Sequence, residues 1–190
     1  MVLFVFGITG RRGAGKDTTA EYLSKRYGFR VLTFTDNVLA PMLKSMGKEV
    51  TRENLINLAM DMRKTFGGNA ALVPTLCEII RREGLWAVSG VRFPEEVEYF
   101  RETYGDAFKL ISVKCSAKKR FERLKKRGTK GEGRMTYREF LEVEKRPTEK
   151  PIGRVMKMAD FSLDNNGTKR ELHRQIDDIY EKLKLGKPSS

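Results

Sequence analysis

Gly10-Arg11-Arg12-Gly13-Ala14-Gly15-Lys16-Asp17-Thr18-Thr19 lies between an apolar run, Val2 to Ile8, and a segment of helical periodicity. That order of strand, glycine-rich turn and helix constrains the chain more than any other feature. A short apolar run of this kind reads as the first strand of a parallel sheet, buried on both faces. Gly10, Gly13, Ala14 and Gly15 let successive backbone N–H groups turn toward one anion, and the following helix adds its positive N-terminal end. Lys16 then reaches the β- and γ-phosphates of a nucleoside triphosphate. Thr18 and Thr19 offer hydroxyls to phosphate or to water on a magnesium ion. Asp17 stands where a serine or threonine usually follows the lysine. Its carboxylate either ligates Mg²⁺, which favours hard oxygen, or caps the helix, where negative charge is favoured.

A chain of 190 residues with 39% hydrophobic and 33% charged residues reads as one globular domain, residues 1–185, with a disordered tail at 186–190. The first apolar run is too short for a membrane span and lacks the features of a signal peptide, so a cytoplasmic protein is expected. Cys77 and Cys115 have no metal-ligand spacing and read as buried thiols. His173, the only histidine, reads as a surface or packing residue. The net charge is +13, and residues 117–157 hold fifteen Lys/Arg against six Asp/Glu, a surplus of nine. Such a field suits polyanions: two phosphorylated substrates, or nucleic acid. The absence of an aromatic-rich RNA motif counts against the second.

Five strands are expected, at Val2–Ile8, Arg30–Phe34, Leu85–Ser89, Phe108–Cys115 and Ala159–Leu163. Helices are expected at Lys16–Tyr27, Asn37–Met46, Arg52–Phe66 and Ala71–Arg82, from Pro94, after Ser116, after the capping box Thr136 to Glu139, and over Leu172 to Leu183. Their alternation argues for a parallel sheet covered on both faces, an α/β fold. Residues 36–70 read as an inserted helical region that binds the acceptor. Residues 128–148, with Gly128, Gly131 and Gly133, read as a lid.

Several segments, in order, resemble the small P-loop kinases that include nucleoside monophosphate kinases and dephospho-CoA kinase. Gly10–Thr19 followed by Ala20-Glu21-Tyr22-Leu23 resembles the phage-type deoxynucleoside monophosphate kinases, which also carry Asp after the loop lysine. Val91-Arg92-Phe93-Pro94-Glu95-Glu96-Val97-Glu98 is similar to a segment of the same enzymes. Arg123-Leu124-Lys125-Lys126-Arg127 resembles the start of the mobile lid in adenylate-kinase-like enzymes. Ala159–Leu163 with Asn165-Asn166-Gly167-Thr168 resembles the end of dephospho-CoA kinase, where such a loop lies near the nucleotide base. The overall layout is most similar to an archaeal group of predicted nucleotide kinases.

This resemblance implies a P-loop NTPase three-layer fold with a five-stranded parallel sheet, and ATP and Mg²⁺ as cofactors. The implied partner is a small-molecule nucleotide acceptor. Membrane partners are not expected, and the oligomeric state stays open. Lys16 stabilises the transferring phosphoryl group. Arg123 and Arg127, four apart, either close over that group or form a solvated helix face. Lys118, Lys119, Lys125 and Lys126 read as that solvated face, and Arg134, Arg138 and Arg146 are further lid candidates. Arg92 is the candidate grip for an acceptor phosphate, and Asn165 lies by the base. Asp36, at the end of the second strand, either activates a hydroxyl acceptor or caps the next helix. Ser89 ends the third strand where related kinases often place a magnesium-binding aspartate. The acceptor is a nucleoside or deoxynucleoside monophosphate, or alternatively a ribose hydroxyl of dephospho-CoA. From another class, an ATPase that binds RNA or assists ribosome assembly stays open.

Overall fold

The computed structural model describes residues 3–81, 83–128, 133–145 and 149–185. Strand β1 (Leu3–Thr9) lies at the centre of a sheet whose five strands run in the order β2-β3-β1-β4-β5. The others are β2 (Arg30–Thr33), β3 (Gly84–Ser89), β4 (Phe108–Lys114) and β5 (Phe161–Asp164). Every pairing is parallel. A central parallel strand has no solvent-facing side, which is why Val5, Phe6 and Ile8 are all fully buried.

Alternation along β1 sorts the core into two halves. Phe4, Phe6 and Ile8 pack against α1 (Lys16–Tyr27) and α9 (Lys169–Leu183) through Leu23, Leu172 and Ile176. Val5 faces the other way and joins the core that holds Val38, Leu39 and Leu72. That second layer contains α2 (Ala40–Ser45), α3 (Arg52–Thr65), α4 (Val73–Ile79) and α5 (Pro94–Tyr104). The result is the expected three layers. Along the sheet, Ile8 pairs with Ser89 and Ile111, and Thr33 with Ser89, so the strands' carboxyl ends lie level. Ligands of open parallel sheets bind beyond that edge.

Some boundaries differ from expectation. The helix expected from Asn37 begins at Thr35 as a single π-helical turn, Thr35–Leu39, before α2. Thr33 causes this: its N–H donates to Asn37 Oδ1 (2.8 Å), and its hydroxyl accepts from the Asp36 N–H (2.9 Å). Asp36 is therefore not the cap of a helix at Asn37. The helix expected over Ala71–Arg82 is shorter, because Gly68–Ala70 form a 3₁₀ turn and Pro74 sits in the first turn of α4; Arg82 is outside the described residues. Strand β5 starts at Phe161 rather than Ala159. Asp160 Oδ2 accepts from the Leu110 N–H (2.7 Å), so a side chain supplies that rung. Helix α8 (Ile152–Lys157) was not expected at all. Cys77 and Cys115 are free but only half-buried. His173 does pack, stacked 3.8 Å from the Tyr22 ring. Among the described residues no helix is long and apolar enough to cross a membrane.

The segment expected to form a lid, residues 128–148, follows α6 (Ala117–Arg127) and contains α7 (Tyr137–Glu144). Gly131 and Arg146 lie outside the described residues, as does the tail at 186–190.

Candidate phosphotransfer site

The turn from β1 into α1 is held open by backbone geometry that only glycine adopts freely. Gly13 has φ 74°, and a Cβ there would lie 2.9 Å from the Arg120 carbonyl oxygen. Gly15 has φ 107°, and a Cβ there would run into the Asn165 side-chain amide. Gly15 is also the N-cap of α1, so no side chain caps that helix. Helices α3, α6, α7 and α9 are each capped by a Ser or Thr oxygen. The first N–H groups of α1 are thus left facing outward at the positive end of the helix, where an anion is favoured. Ala14 is fully buried beneath the turn, and its N–H donates to the Arg11 carbonyl (3.1 Å).

Lys16 folds back over the loop and donates to the carbonyls of Gly10 (2.9 Å) and Arg11 (3.3 Å). Burial pushes its pKa down to about 8; the charge of Arg92 pushes the same way and Arg120 less so, while Asp17 and Glu149 oppose the shift. Two cations and two carboxylates therefore act on one ammonium. Asp17 is exposed in the first turn of α1. Thr18 is half-buried beside it, whereas Thr19 is buried with its hydroxyl on the Gly15 carbonyl (3.1 Å). Thr19 thus secures the helix start from within.

Arg92 reaches the loop because the end of β3 continues along β1: the N–H groups of Gly90 and Val91 both donate to the Ile8 carbonyl. The base of Arg92 is fixed by Glu96, whose Oε2 accepts from the N–H of Arg92 (2.7 Å) and of Phe93 (3.2 Å). Burial pushes the Glu96 carboxyl up to about 7. Arg63 of α3 lies 3.6 Å from Glu96 Oε1, with its guanidinium over the Phe93 ring. A buried pair thereby ties the expected acceptor region to the Arg92 turn. The Arg92 guanidinium donates to Glu149 Oε1 at 2.8 Å.

The arginines of α6 divide differently from the sequence pattern. Arg123 donates to the Asn165 carbonyl (2.9 Å) and lies 3.4 Å from Cys115 Sγ. Asn165 is buried, and its amide donates to the Ala14 carbonyl at 2.7 Å. Together they brace the loop from beneath. Arg127, Arg134 and Arg138 are exposed. The arginine against the loop is Arg120, which sequence reasoning missed. It is 4% exposed and donates to the carbonyls of Cys115 (3.1 Å) and Arg12 (3.2 Å). It also pairs with Glu144 at 2.7 Å and lies over the Phe140 ring. Arg11 meets the same Glu144 oxygen at 3.3 Å, so α7 is docked onto the phosphate loop. The missed signal was register: Arg120 lies one turn before Leu124, the buried apolar residue of α6.

Asp36 is exposed, with its carboxylate accepting from the Thr33 hydroxyl (2.7 Å). It stands at the carboxyl edge of the sheet, two strands from the loop. Among the described residues no three His, Cys, Asp or Glu side chains form a metal cage.

A parallel sheet with β1 at its centre, a glycine loop and a lysine at an uncapped helix start define the P-loop kinase class of α/β proteins. Solved structures agree on the fold. A shikimate kinase from Bacteroides thetaiotaomicron superimposes with a TM-score of 0.62 at 15% identity, covering 96% of this chain and 99% of that one. A gluconokinase from Sinorhizobium meliloti gives 0.55 at 13% identity, covering 95% of each chain. A family model described as an AAA domain matches residues 7–145. The chain belongs to the UPF0200 family. It is 33% identical over 184 residues to a UPF0200 protein of Methanocaldococcus jannaschii, covering 95% of this chain and 91% of that protein. The UPF0200 protein of Pyrococcus horikoshii is 31% identical over 93% of this chain and 95% of its own length. The chain spans 55% of the length of a UPF0200/UPF0201 protein of Archaeoglobus fulgidus, at 31% identity over 94% of this chain.

Proposed function

We propose that this protein is an ATP-dependent phosphotransferase acting on a small nucleotide-like acceptor, best fitted by a nucleoside or deoxynucleoside monophosphate. The observation that carries this reading is the convergence of Lys16, Arg92 and Arg120 at the uncapped start of α1. Burial and like charge weaken the hold of Lys16 on its own proton. An entering polyphosphate relieves that strain and is bound in return. Phosphoryl transfer asks for positioning and charge neutralisation rather than covalent catalysis. The N–H groups of Gly13 and of residues 15–18 fix the donor phosphates, the Ala14 N–H being held by the Arg11 carbonyl. Lys16 follows the negative charge that spreads over the γ-oxygens. Arg92, rooted by Glu96, grips the acceptor phosphate as a planar fork. Arg120 and Glu144 hold α7 over the loop, which limits the access of water.

Magnesium fits the oxygen donors at the start of α1. Asp17 and the Thr18 hydroxyl would hold it, with water and phosphate oxygens filling the remaining positions. When bound it neutralises charge on the nucleotide's phosphates. The place of such an enzyme is the cytoplasm.

Asp36 favours a second reading. An exposed carboxylate at the carboxyl edge of the sheet suits the activation of a hydroxyl acceptor, such as the ribose of dephospho-CoA, whereas a phosphate acceptor is already anionic. The kinases named among the fold neighbours, for shikimate and for gluconate, come from the same fold. A panel with γ-labelled ATP decides between them. Label passing to nucleoside monophosphates supports the first reading, and label on dephospho-CoA the second. Release of label as inorganic phosphate alone, at a rate raised by RNA and indifferent to every small acceptor, refutes both and favours an RNA-linked ATPase.

A further inference from the structure

Glu149 is the buried group that the proposed chemistry leaves unexplained. Its residue is 8% exposed, in a site lined by cations. One oxygen, Oε1, accepts from Arg92 Nη1 at 2.8 Å. The other, Oε2, is buried with no hydrogen-bond partner among the described residues. An ionised carboxylate offers about four lone-pair positions, and leaving one oxygen dry and unmatched is costly. The Glu149 carbonyl accepts from the Ile152 N–H (3.3 Å) at the foot of α8, whose Ile152 and Val155 are buried.

Glu149 and Asp17 are the two carboxylates that act on the Lys16 ammonium, against Arg92 and Arg120. Asp17 adjoins Lys16 in the first turn of α1, and Glu149 is joined to the same site through Arg92. The strand end that could have supplied an acid there carries Ser89 instead, 6% exposed. Mg²⁺ at phosphate sites is characteristically held by one or two carboxylates together with phosphate oxygens and water.

We propose that Glu149 supplies a second carboxylate to the divalent-cation site of the bound nucleotide, through Oε2, while Oε1 keeps Arg92 in place. Asp17 approaches from the helix start and Glu149 from the segment before α8. The acid missing from β3 is thus delivered from the lid side of the site. The rival explanation is that Glu149 is a surrogate anion, sitting on Arg92 until an acceptor phosphate displaces it. A surrogate would be expected to spend both oxygens on cations, whereas Oε2 is left unmatched. This assignment rests on the phosphotransferase reading, and the test separates the two.

The probes are Mn²⁺ and the β,γ-imido analogue of ATP. Free Mn²⁺ is followed by its electron paramagnetic resonance signal, and nucleotide binding by calorimetry with and without EDTA. In the parent, Mn²⁺ tightens analogue binding. In Glu149→Gln, Mn²⁺ affinity of the protein–nucleotide complex falls by about tenfold or more, the scale set by losing even an outer-sphere partner. Analogue binding in EDTA stays equal or becomes tighter. Glu149→Asp keeps the charge but shortens the reach, and loses Mn²⁺ affinity to a smaller extent. That variant decides the matter if the glutamine variant does not fold. Unchanged Mn²⁺ affinity in a folded variant overturns the proposal, and combined with tighter binding in EDTA it identifies a surrogate anion. Binding of the analogue to the parent regardless of Mn²⁺ also overturns it while sparing the phosphotransferase reading. No binding under either condition refutes both.

Discussion

Nucleotide binding should take up a proton above neutral pH, and Lys16 is the reason. Its pKa stands near 8 instead of 10.5, chiefly through burial and then through Arg92. A shift of that size corresponds to roughly 3 kcal/mol of unfavourable interaction for the charged form. A polyphosphate on the loop supplies the missing counter-charge and returns the pKa toward its ordinary range. The sign follows directly. The free site has lost its lysine proton above pH 8 and the complex has not, so binding consumes a proton and weakens as pH rises. At pH 9 uptake should approach about 0.9 proton per site, falling to about 0.1 at pH 7. At pH 9 the terminal phosphate is fully ionised and contributes nothing. The assay is calorimetry of the imido analogue in two buffers of different ionisation enthalpy. The slope of observed enthalpy against buffer enthalpy gives the proton count. Lys16→Met should abolish the uptake at pH 9. A parent protein that binds the analogue with no uptake at pH 9 would refute the electrostatic picture of the site. The same shift acts on folding. A lysine whose folded pKa is depressed costs stability below about pH 8, and that cost fades as pH rises from 8 toward 10.5.

Other substitutions read other parts of the site. Asn165→Ala removes the donor to the Ala14 carbonyl, leaving a buried acceptor unmatched. It should cost about 1–3 kcal/mol in chemical denaturation and weaken nucleotide binding; unchanged values would show that the loop stands without its brace. Arg92→Gln should raise KM for a phosphate-bearing acceptor well above any change in KM for ATP, and equal changes would place Arg92 on the donor side. On α6, Arg120→Lys should lower thermal stability and kcat together, because three of its contacts need the planar guanidinium. Arg127→Lys should lower kcat if Arg127 closes over the transferring group, and an unchanged kcat would leave it on a solvated helix face.

The sheet and the loop could be read in the sequence because their signals are local. An apolar run, three glycines and a lysine at a helix start specify β1, the turn and α1 within a single stretch. Helix α8 was invisible for the opposite reason. Six residues, Ile-Gly-Arg-Val-Met-Lys, are too few to show a period, and only the burial of Ile152 and Val155 in the assembled core makes them helical. The π turn at Thr35–Leu39 likewise depends on a side-chain bridge from Asn37 back to Thr33.

The site divides along the same line. Lys16 and the glycines were legible from spacing. Arg120, Glu144 and Glu149 were not, because a buried ion pair is made by partners distant along the chain. Arg120 meets Arg12 across 108 residues, Arg11 meets Glu144 across 133, and Arg92 meets Glu149 across 57. In a segment this rich in lysine and arginine, composition points to a solvated face. Which charge turns inward is decided by packing, here by Leu124 and Phe140, both 1% exposed. Asn165 was singled out by its loop, but its task depended on the close approach of Gly15, where a side chain would meet its amide.

In the proposed reaction the Lys16 site transfers the γ-phosphoryl group of ATP to a small acceptor. Single-turnover transfer from γ-labelled ATP, run with and without nucleoside monophosphate and repeated with folded Lys16→Met, tests it most directly. Label should pass to the acceptor in the parent, with little ATP consumed without acceptor and neither reaction in the variant. Acceptor-independent consumption by the parent, or transfer by Lys16→Met at the parental rate, would contradict it.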